Sequence, residues 1–230
     1  MTAFFIAGTD TDVGKTTIAA GLLNAARQAG LSTAAIKPVA SGSQVTTAGL
    51  RNADALALQA QCQPPLDYAL VNPLAFEPAI APHIAAQEAG VELSVATLRP
   101  GIERVLARRA DFTLVEGAGG WRVPLDRGET LADLAIALQL PVVLVVGVRL
   151  GCINHALLSV EAIQRDGLPL AGWVANIVDP GTSRLEQNLA TLAECMPAAC
   201  LGTVPRLDVP DAEAVAACLS LAPLGLVARS

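Results

Sequence analysis

Gly8-Thr9-Asp10-Thr11-Asp12-Val13-Gly14-Lys15-Thr16-Thr17 is the stretch on which the fold turns. An apolar run, Ala3 to Ala7, leads into it and reads as a strand; Lys15 to Gln28 follows with helical spacing and stops near Gly30. A strand, a glycine-bounded turn and a helix opening on Gly-Lys-Thr make the setting of a phosphate-binding P-loop. The first amides of a helix lack partners within it, and the helix dipole is positive there, so they suit phosphate oxygens. Asp12, Val13, Gly14 and Thr17 form the nucleotide-facing turn, Lys15 reaches the terminal phosphates, and the Thr16 hydroxyl can ligate Mg2+. The strict pattern places four residues between its glycines; Gly8 and Gly14 enclose five, and Thr9 stands where the first glycine is expected. A plain strand-to-helix turn capped by Thr and Asp is the alternative, but it leaves Gly14-Lys15-Thr16-Thr17 without a reason. Switch ATPases of the partitioning and cell-division type carry a second lysine early in this loop, and that position is Asp10 here, which counts against such a switch.

Outward from the loop, short apolar runs alternate with amphipathic stretches. Strands are predicted at Thr33 to Ile36, Phe112 to Val115, Val142 to Gly147, Leu170 to Ala175 and Cys200 to Val204. Helices are predicted at Asn52 to Gln61, Val95 to Arg109, Thr130 to Leu138, Asn154 to Arg165, Arg184 to Cys195 and Asp211 to Leu219. Residues 62–82 carry Pro64, Pro65, Pro73, Pro78 and Pro82 and read as mostly loop. This alternation predicts an α/β, P-loop NTPase-like fold: a central, mostly parallel sheet with helices on both faces. With no linker, repeat or low-complexity tract, residues 1–230 read as a single domain.

Composition agrees with that class. Hydrophobic residues are 53% of the chain but aromatics only 3%, so the core is aliphatic, as parallel sheets prefer. The net charge of -6 argues against nucleic acid or an anionic membrane as partner, while a local positive site still takes a nucleotide. The longest apolar run, Leu140 to Val148, is too short to span a bilayer. An odd number of cysteines without a CxxC, beside two histidines, predicts reduced thiols in a cytoplasmic protein rather than a zinc site or disulfide framework. Met1 to Gly8 lacks the basic segment of a secretory signal.

Beyond the P-loop, three features suggest chemistry. Glu116 ends a buried strand and opens the glycine-rich run Gly117-Ala118-Gly119-Gly120, which places a carboxylate where a P-loop enzyme needs one near its metal. Lys37 follows a strand and precedes Pro38; it either reaches over the phosphates with Lys15 or sits on the surface, and position alone does not choose. Asp54, in a first helical turn, is equally consistent with a dipole contact. The turn Arg149 to His155 enters a helix and offers free amides to an anion, or is simply capped by Asn154.

Taken together, the segments resemble the dethiobiotin synthetase family. The resemblance rests on the P-loop, Lys37-Pro38-Val39-Ala40-Ser41-Gly42, Arg51-Asn52-Ala53-Asp54-Ala55-Leu56, Val71-Asn72-Pro73, Glu116 to Trp121, Gly151-Cys152-Ile153-Asn154-His155 and Gly172-Trp173-Val174-Ala175-Asn176, in the family's order. It implies a cytoplasmic homodimer that uses MgATP to join CO2 to 7,8-diaminononanoate and close a cyclic urea. It implies further that Lys37 and Lys15 are catalytic, and that Thr16, Asp54 and Glu116 surround the metal. Ser41 would contact the substrate, and Gly151, Cys152, Ile153 and Asn154 would hold its carboxylate near the dimer interface. Asn176, Pro205, Arg206, Leu207 and Asp211 would lie on the adenine side. Two departures stand out: Ile177 follows Asn176 where aspartate is usual, and the helix from Arg184 has no tyrosine, with Asn188 near that spot. An amidating ligase is a rival reading, but it needs a further domain with a cysteine nucleophile, for which the sequence to Ser230 leaves no room. A regulatory nucleotide-binding module, the other rival, would need neither Lys37, Ser41 nor the Gly151 turn.

Overall fold

Val142–Val148 is buried along its whole length, and so is Phe112–Glu116. Strands covered on both faces read as continuous apolar runs, not alternating ones. The computed structural model describes residues 2–226. In chain order its strands are β1 (Thr2–Gly8), β2 (Thr33–Ile36), β3 (Val39–Ala40), β4 (Gln44–Thr46), β5 (Gly49–Arg51), β6 (Leu74–Ala75), β7 (Phe112–Glu116), β8 (Val142–Val148), β9 (Leu170–Ile177) and β10 (Cys200–Val204). The α-helices are α1 (Lys15–Gln28), α2 (Ala53–Gln59), α3 (Tyr68–Val71), α4 (Pro82–Glu88), α5 (Val95–Leu106), α6 (Leu131–Leu138), α7 (Cys152–Arg165), α8 (Leu185–Cys195) and α9 (Ala212–Ala216).

Six strands pair in the order β10-β9-β8-β1-β7-β2, every pair parallel. The chain starts in the middle at β1, steps to the β2 edge, returns to fill β7, then crosses to β8 and moves outward. The order therefore reverses beside β1, and in open α/β sheets that reversal is where ligands bind, outside the carboxyl ends of the strands. Helices cover both faces of this P-loop sheet; α1 packs against α2 and α9, α5 against α6, and α7 against α8. Gly21 sets the α1–α9 distance, since a Cβ there would run into the Val215 side chain. The core is aliphatic, with Ile6, Ile18, Leu22, Leu114 and Val143 fully buried. Among the described residues, no helix is long and apolar enough to cross a membrane.

All six long strands fall where the sequence placed them. The differences are local. Helix α7 begins at Cys152 with Gly151 in the capping position, so Asn154 is not the cap. Helix α9 ends at Ala216 rather than Leu219. The proline-rich stretch contains the one-turn α3 and β6, and Pro82 starts α4 from the first helical position, where its missing N–H costs nothing. Antiparallel β4–β5 and parallel β3–β6 are ladders of two or three residues, too short to show a period.

Candidate active site

The P-loop owes its shape to ties from β8 and β9. Gly14 caps α1 at φ +83°, a left-handed conformation, and a Cβ there would strike the Asn176 amide. That amide donates from Nδ2 to the Val13 carbonyl at 2.9 Å, so β9 grips the turn directly. The Val13 side chain is buried and packs against Gly8 and Gly147; only its backbone takes part in the loop surface. Thr9 needs no glycine, because its φ is not positive. Its hydroxyl accepts from the Gly147 amide at 3.3 Å, and its own amide donates to the Val145 carbonyl at 3.0 Å. Asp10, where the switch ATPases have lysine, pairs with Arg149 at 2.6 Å.

Lys15 is buried and bends back across the loop, donating from Nζ to the Asp10 carbonyl at 2.9 Å. Burial lowers its pKa to about 8, against the pull of the Glu116 carboxylate and with help from nearby Lys37.

Glu116 is the hub. It is 1% exposed, and its Oε1 accepts from Thr16 Oγ1 at 2.7 Å and from Lys37 Nζ at 2.6 Å. Its Oε2 is buried with no partner. Lys37, also buried, lies 3.0 Å from Asp54 Oδ2. Burial alone would lower the Lys37 pKa, but the Glu116 and Asp54 carboxylates outweigh it and raise the value, keeping the ammonium charged. Position in the chain left Lys37 and Asp54 open; three-dimensional proximity joins them to the P-loop.

A cleft of about 550 Å³ collects these groups. Asp12, Gly14, Lys15, Thr16, Thr17, Lys37, Ser41, Asp54 and Glu116 line one part of it, and Asn176, Pro205, Arg206 and Leu207 another. Ile177 lines it too, an apolar group where aspartate is usual. The remaining expected residues lie elsewhere. Asp211 caps α9, accepting from the Ala214 amide at 2.8 Å. Gly151, Cys152, Ile153 and Asn154 form the start of α7, outside this chain's cleft; Cys152 is buried and Asn154 exposed. Asn188 donates to the Ser183 and Arg184 carbonyls at the start of α8.

The oxygen set beside the P-loop fits a hard divalent cation. Thr16, Asp54 and Glu116 supply one hydroxyl and two carboxylates, and the unpartnered Glu116 Oε2 is an acceptor without a donor. Mg2+ is typically held by one or two carboxylates with substrate phosphates completing its shell. Among the described residues no cluster of three or more His, Cys, Asp or Glu could hold a metal by itself, so a site here depends on those phosphates.

A family model described as an AAA domain matches residues 2–214. The ATP-dependent dethiobiotin synthetase BioD of Pseudomonas paraeruginosa is 73% identical over 226 residues, covering 98% of this chain and 99% of the relative. The enzyme of the same name from Cellvibrio japonicus is 63% identical over 96% of this chain and 97% of its own. BioD 1 of Salmonella typhi is 49% identical over the same shares, 96% and 97%. Among solved structures, the MinC:MinD cell division protein complex of Aquifex aeolicus aligns with a TM-score of 0.54 at 13% identity, covering 96% of this chain and 88% of the other. A ParA family ATPase of Chlorobium tepidum aligns at 0.53 and 13%, covering 97% and 92%. At that identity the likeness is one of fold alone.

Proposed function

The chain belongs to the family of ATP-dependent dethiobiotin synthetases, and on that premise we propose that it joins CO2 to 7,8-diaminononanoate and closes the ureido ring at the expense of ATP. As a ligase forming C–N bonds it faces one chemical obstacle: a carbamate is a poor acylating agent until one of its oxygens becomes a leaving group. One substrate amine takes up CO2 as a carbamate. A carbamate oxygen attacks the γ-phosphorus and ADP departs, leaving a carbamic–phosphoric anhydride. The second amine then attacks the carbonyl carbon, phosphate leaves, and the five-membered cyclic urea of dethiobiotin is formed.

Each step has groups suited to it. The P-loop amides and Lys15 hold the β- and γ-phosphates. Lys37, fixed between Glu116 and Asp54, offers its ammonium to the carbamate and to the charge that develops on the transferring phosphoryl group. Thr16, Asp54 and Glu116 would hold Mg2+, which supplies charge neutralisation on the phosphate oxygens when bound. Ser41 reaches the cleft from the turn after Lys37 and suits a substrate contact. Asn176 spends its amide nitrogen on Val13, so its oxygen is the atom left to accept from the adenine amino group. Pro205, Arg206 and Leu207 wall that side. The start of α7 lies on the surface beside Leu150, 89% exposed, and Leu158, 56% exposed. We place there the pairing of two chains and the binding of the substrate carboxylate. The setting is the cytoplasm, where ATP coexists with reduced thiols.

The observation that carries the reading is the meeting of Lys15, Lys37, Thr16, Asp54 and Glu116 in one cleft from four separate points of the chain. Phosphate release from ATP tests it: release should require both bicarbonate and the diamine. Release that ignores either would mark a simple ATPase and overturn the proposal.

A further inference from the structure

Lys37 is tethered at both ends. Its ammonium meets Glu116 and Asp54, while its backbone is held by the proline-rich stretch: the Lys37 amide donates to the Val71 carbonyl at 2.7 Å, and the Lys37 carbonyl accepts from Asn72 Nδ2 at 2.8 Å. Asn72 is buried, and the same Nδ2 also donates to the Leu74 carbonyl at 3.1 Å. Its Oδ1 accepts from the Tyr68 hydroxyl at 3.0 Å. That hydroxyl in turn accepts from the Asn52 backbone amide at 2.7 Å. Asn52 caps α2, accepting at Oδ1 from the Ala55 amide and donating from Nδ2 to the Ser41 carbonyl at 3.1 Å. Two residues further on, Asp54 reaches Lys37 Nζ. A closed ring results, running from the Lys37 backbone through Asn72, Tyr68 and Asn52 to Asp54 and back to the Lys37 ammonium.

The ring has one self-consistent direction. An amide can only donate, so Asn52 fills an acceptor site on the phenol and sends its single proton to Asn72 Oδ1. That contact turns the Asn72 NH2 toward Lys37. The Arg51 guanidinium lies 4.2 Å over the Tyr68 ring and covers its face. We infer that Tyr68, the single tyrosine of the chain, is a positioning residue that fixes the spacing of Lys37 and Asp54, and through Asn52 the placement of Ser41. The inference rests on the reading of Lys37 and Asp54 given above.

Tyr68→Phe keeps the ring and removes the hydroxyl; it is compared with Lys37→Met and with Ile163→Val, a core change in α7 far from the ring. Misplacement of reacting groups by fractions of an ångström lowers rates by about tenfold or more. Tyr68→Phe should therefore lower kcat about tenfold and leave KM for ATP within about twofold, because the P-loop is tied to β8 and β9 instead. In calorimetry with a non-hydrolysable ATP analogue, the Mg2+ concentration for half-saturation should rise several-fold. Ile163→Val should lose stability and keep kcat. Effects of Tyr68→Phe and Asn72→Ser on kcat should not add, since one relay is cut in both. Wild-type kcat and Mg2+ dependence in Tyr68→Phe, beside a crippled Lys37→Met, would overturn the positioning role alone. Parallel changes in kcat and in KM for ATP would also overturn it, as general damage. Wild-type turnover in Lys37→Met would remove the functional reading and this inference with it. Should Tyr68→Phe fail to fold, Asn72→Ser carries the same measurements, and unchanged kcat there overturns the role.

Discussion

At the carboxyl ends of the strands, the cleft of about 550 Å³ gathers Lys15, Lys37, Asp54 and Glu116 against a glycine-bearing turn. At the amino ends of β2 and β7, a larger groove of about 800 Å³ lies between Arg27, Gln63 and Asp111. There every prominent polar group is already engaged. Arg27 donates to Gln63 at 3.1 Å and to the Ala60 carbonyl and Gln61, and Asp111 accepts from both the amide and the hydroxyl of Ser32. Burial pushes the Cys62 thiol up to about 11, far from a reactive thiolate. Volume favours the amino end; chemistry favours the carboxyl end. Buried charge still holding a free acceptor, Glu116 Oε2, separates a site from a crevice.

The sharpest way to break this contrast is to remove charge from the carboxyl end. Lys37→Met should leave MgATP binding largely intact and lower turnover by about 10²-fold or more; near wild-type turnover under single-turnover conditions would strip the cleft of its distinction. Asp54→Ala is next. It should raise the Mg2+ concentration needed for nucleotide binding on the order of tenfold, and an unchanged magnesium dependence by calorimetry would take Asp54 out of the metal shell.

Acidity probes the same end without mutation. Burial holds the Lys15 pKa in the folded protein at about 8, below the 10.5 usual for a lysine. The charged lysine therefore opposes folding below pH 8, and the free protein should gain stability as pH rises from about 8 toward 10.5. Phosphate needs the charged form, so nucleotide affinity should move the other way, weakening by up to about tenfold per pH unit above 8. Titration calorimetry at pH 9 should show proton uptake on binding, visible as a dependence of the heat on the buffer. The smallest effect belongs to the amino end. Arg27→Leu should cost about 1 kcal/mol of stability through lost hydrogen bonds and leave kcat unchanged; a fall in kcat would give that groove a role it is denied here.

The parts legible in the sequence were those in which chemistry is local. Gly14-Lys15-Thr16 announces itself because strand, turn and helix follow one another, and Glu116 because a buried strand ends in glycines. Lys37 and Asp54 were ambiguous from position and took their roles from family resemblance, since what distinguishes them is a 3.0 Å contact between residues 17 apart in sequence. Of the Tyr68 relay, Asn52 and Asn72 stood in stretches that carried the family resemblance, but nothing in the sequence pointed to Tyr68 or to a link between them. Its links join a side chain to a backbone group or to another side chain across gaps set by the fold, so no residue spacing betrays them. Arg149 was likewise invisible as a partner of Asp10. Asp211 shows a role that resemblance did not suggest: its carboxylate caps α9.

The two lysines hang from strands in unequal positions. Lys15 follows β1, flanked on both sides by β7 and β8, whereas Lys37 follows β2, which ends the six-stranded ladder. Outer strands open in smaller, more frequent fluctuations than inner ones. Hydrogen exchange at β2 should outpace that at β1, and each brief fraying would withdraw the activating charge while the triphosphate stays gripped. On the role proposed for Lys37, loosening at this edge would slow phosphoryl transfer before it released the nucleotide, and exchange at β2 no faster than at β1 would overturn that order.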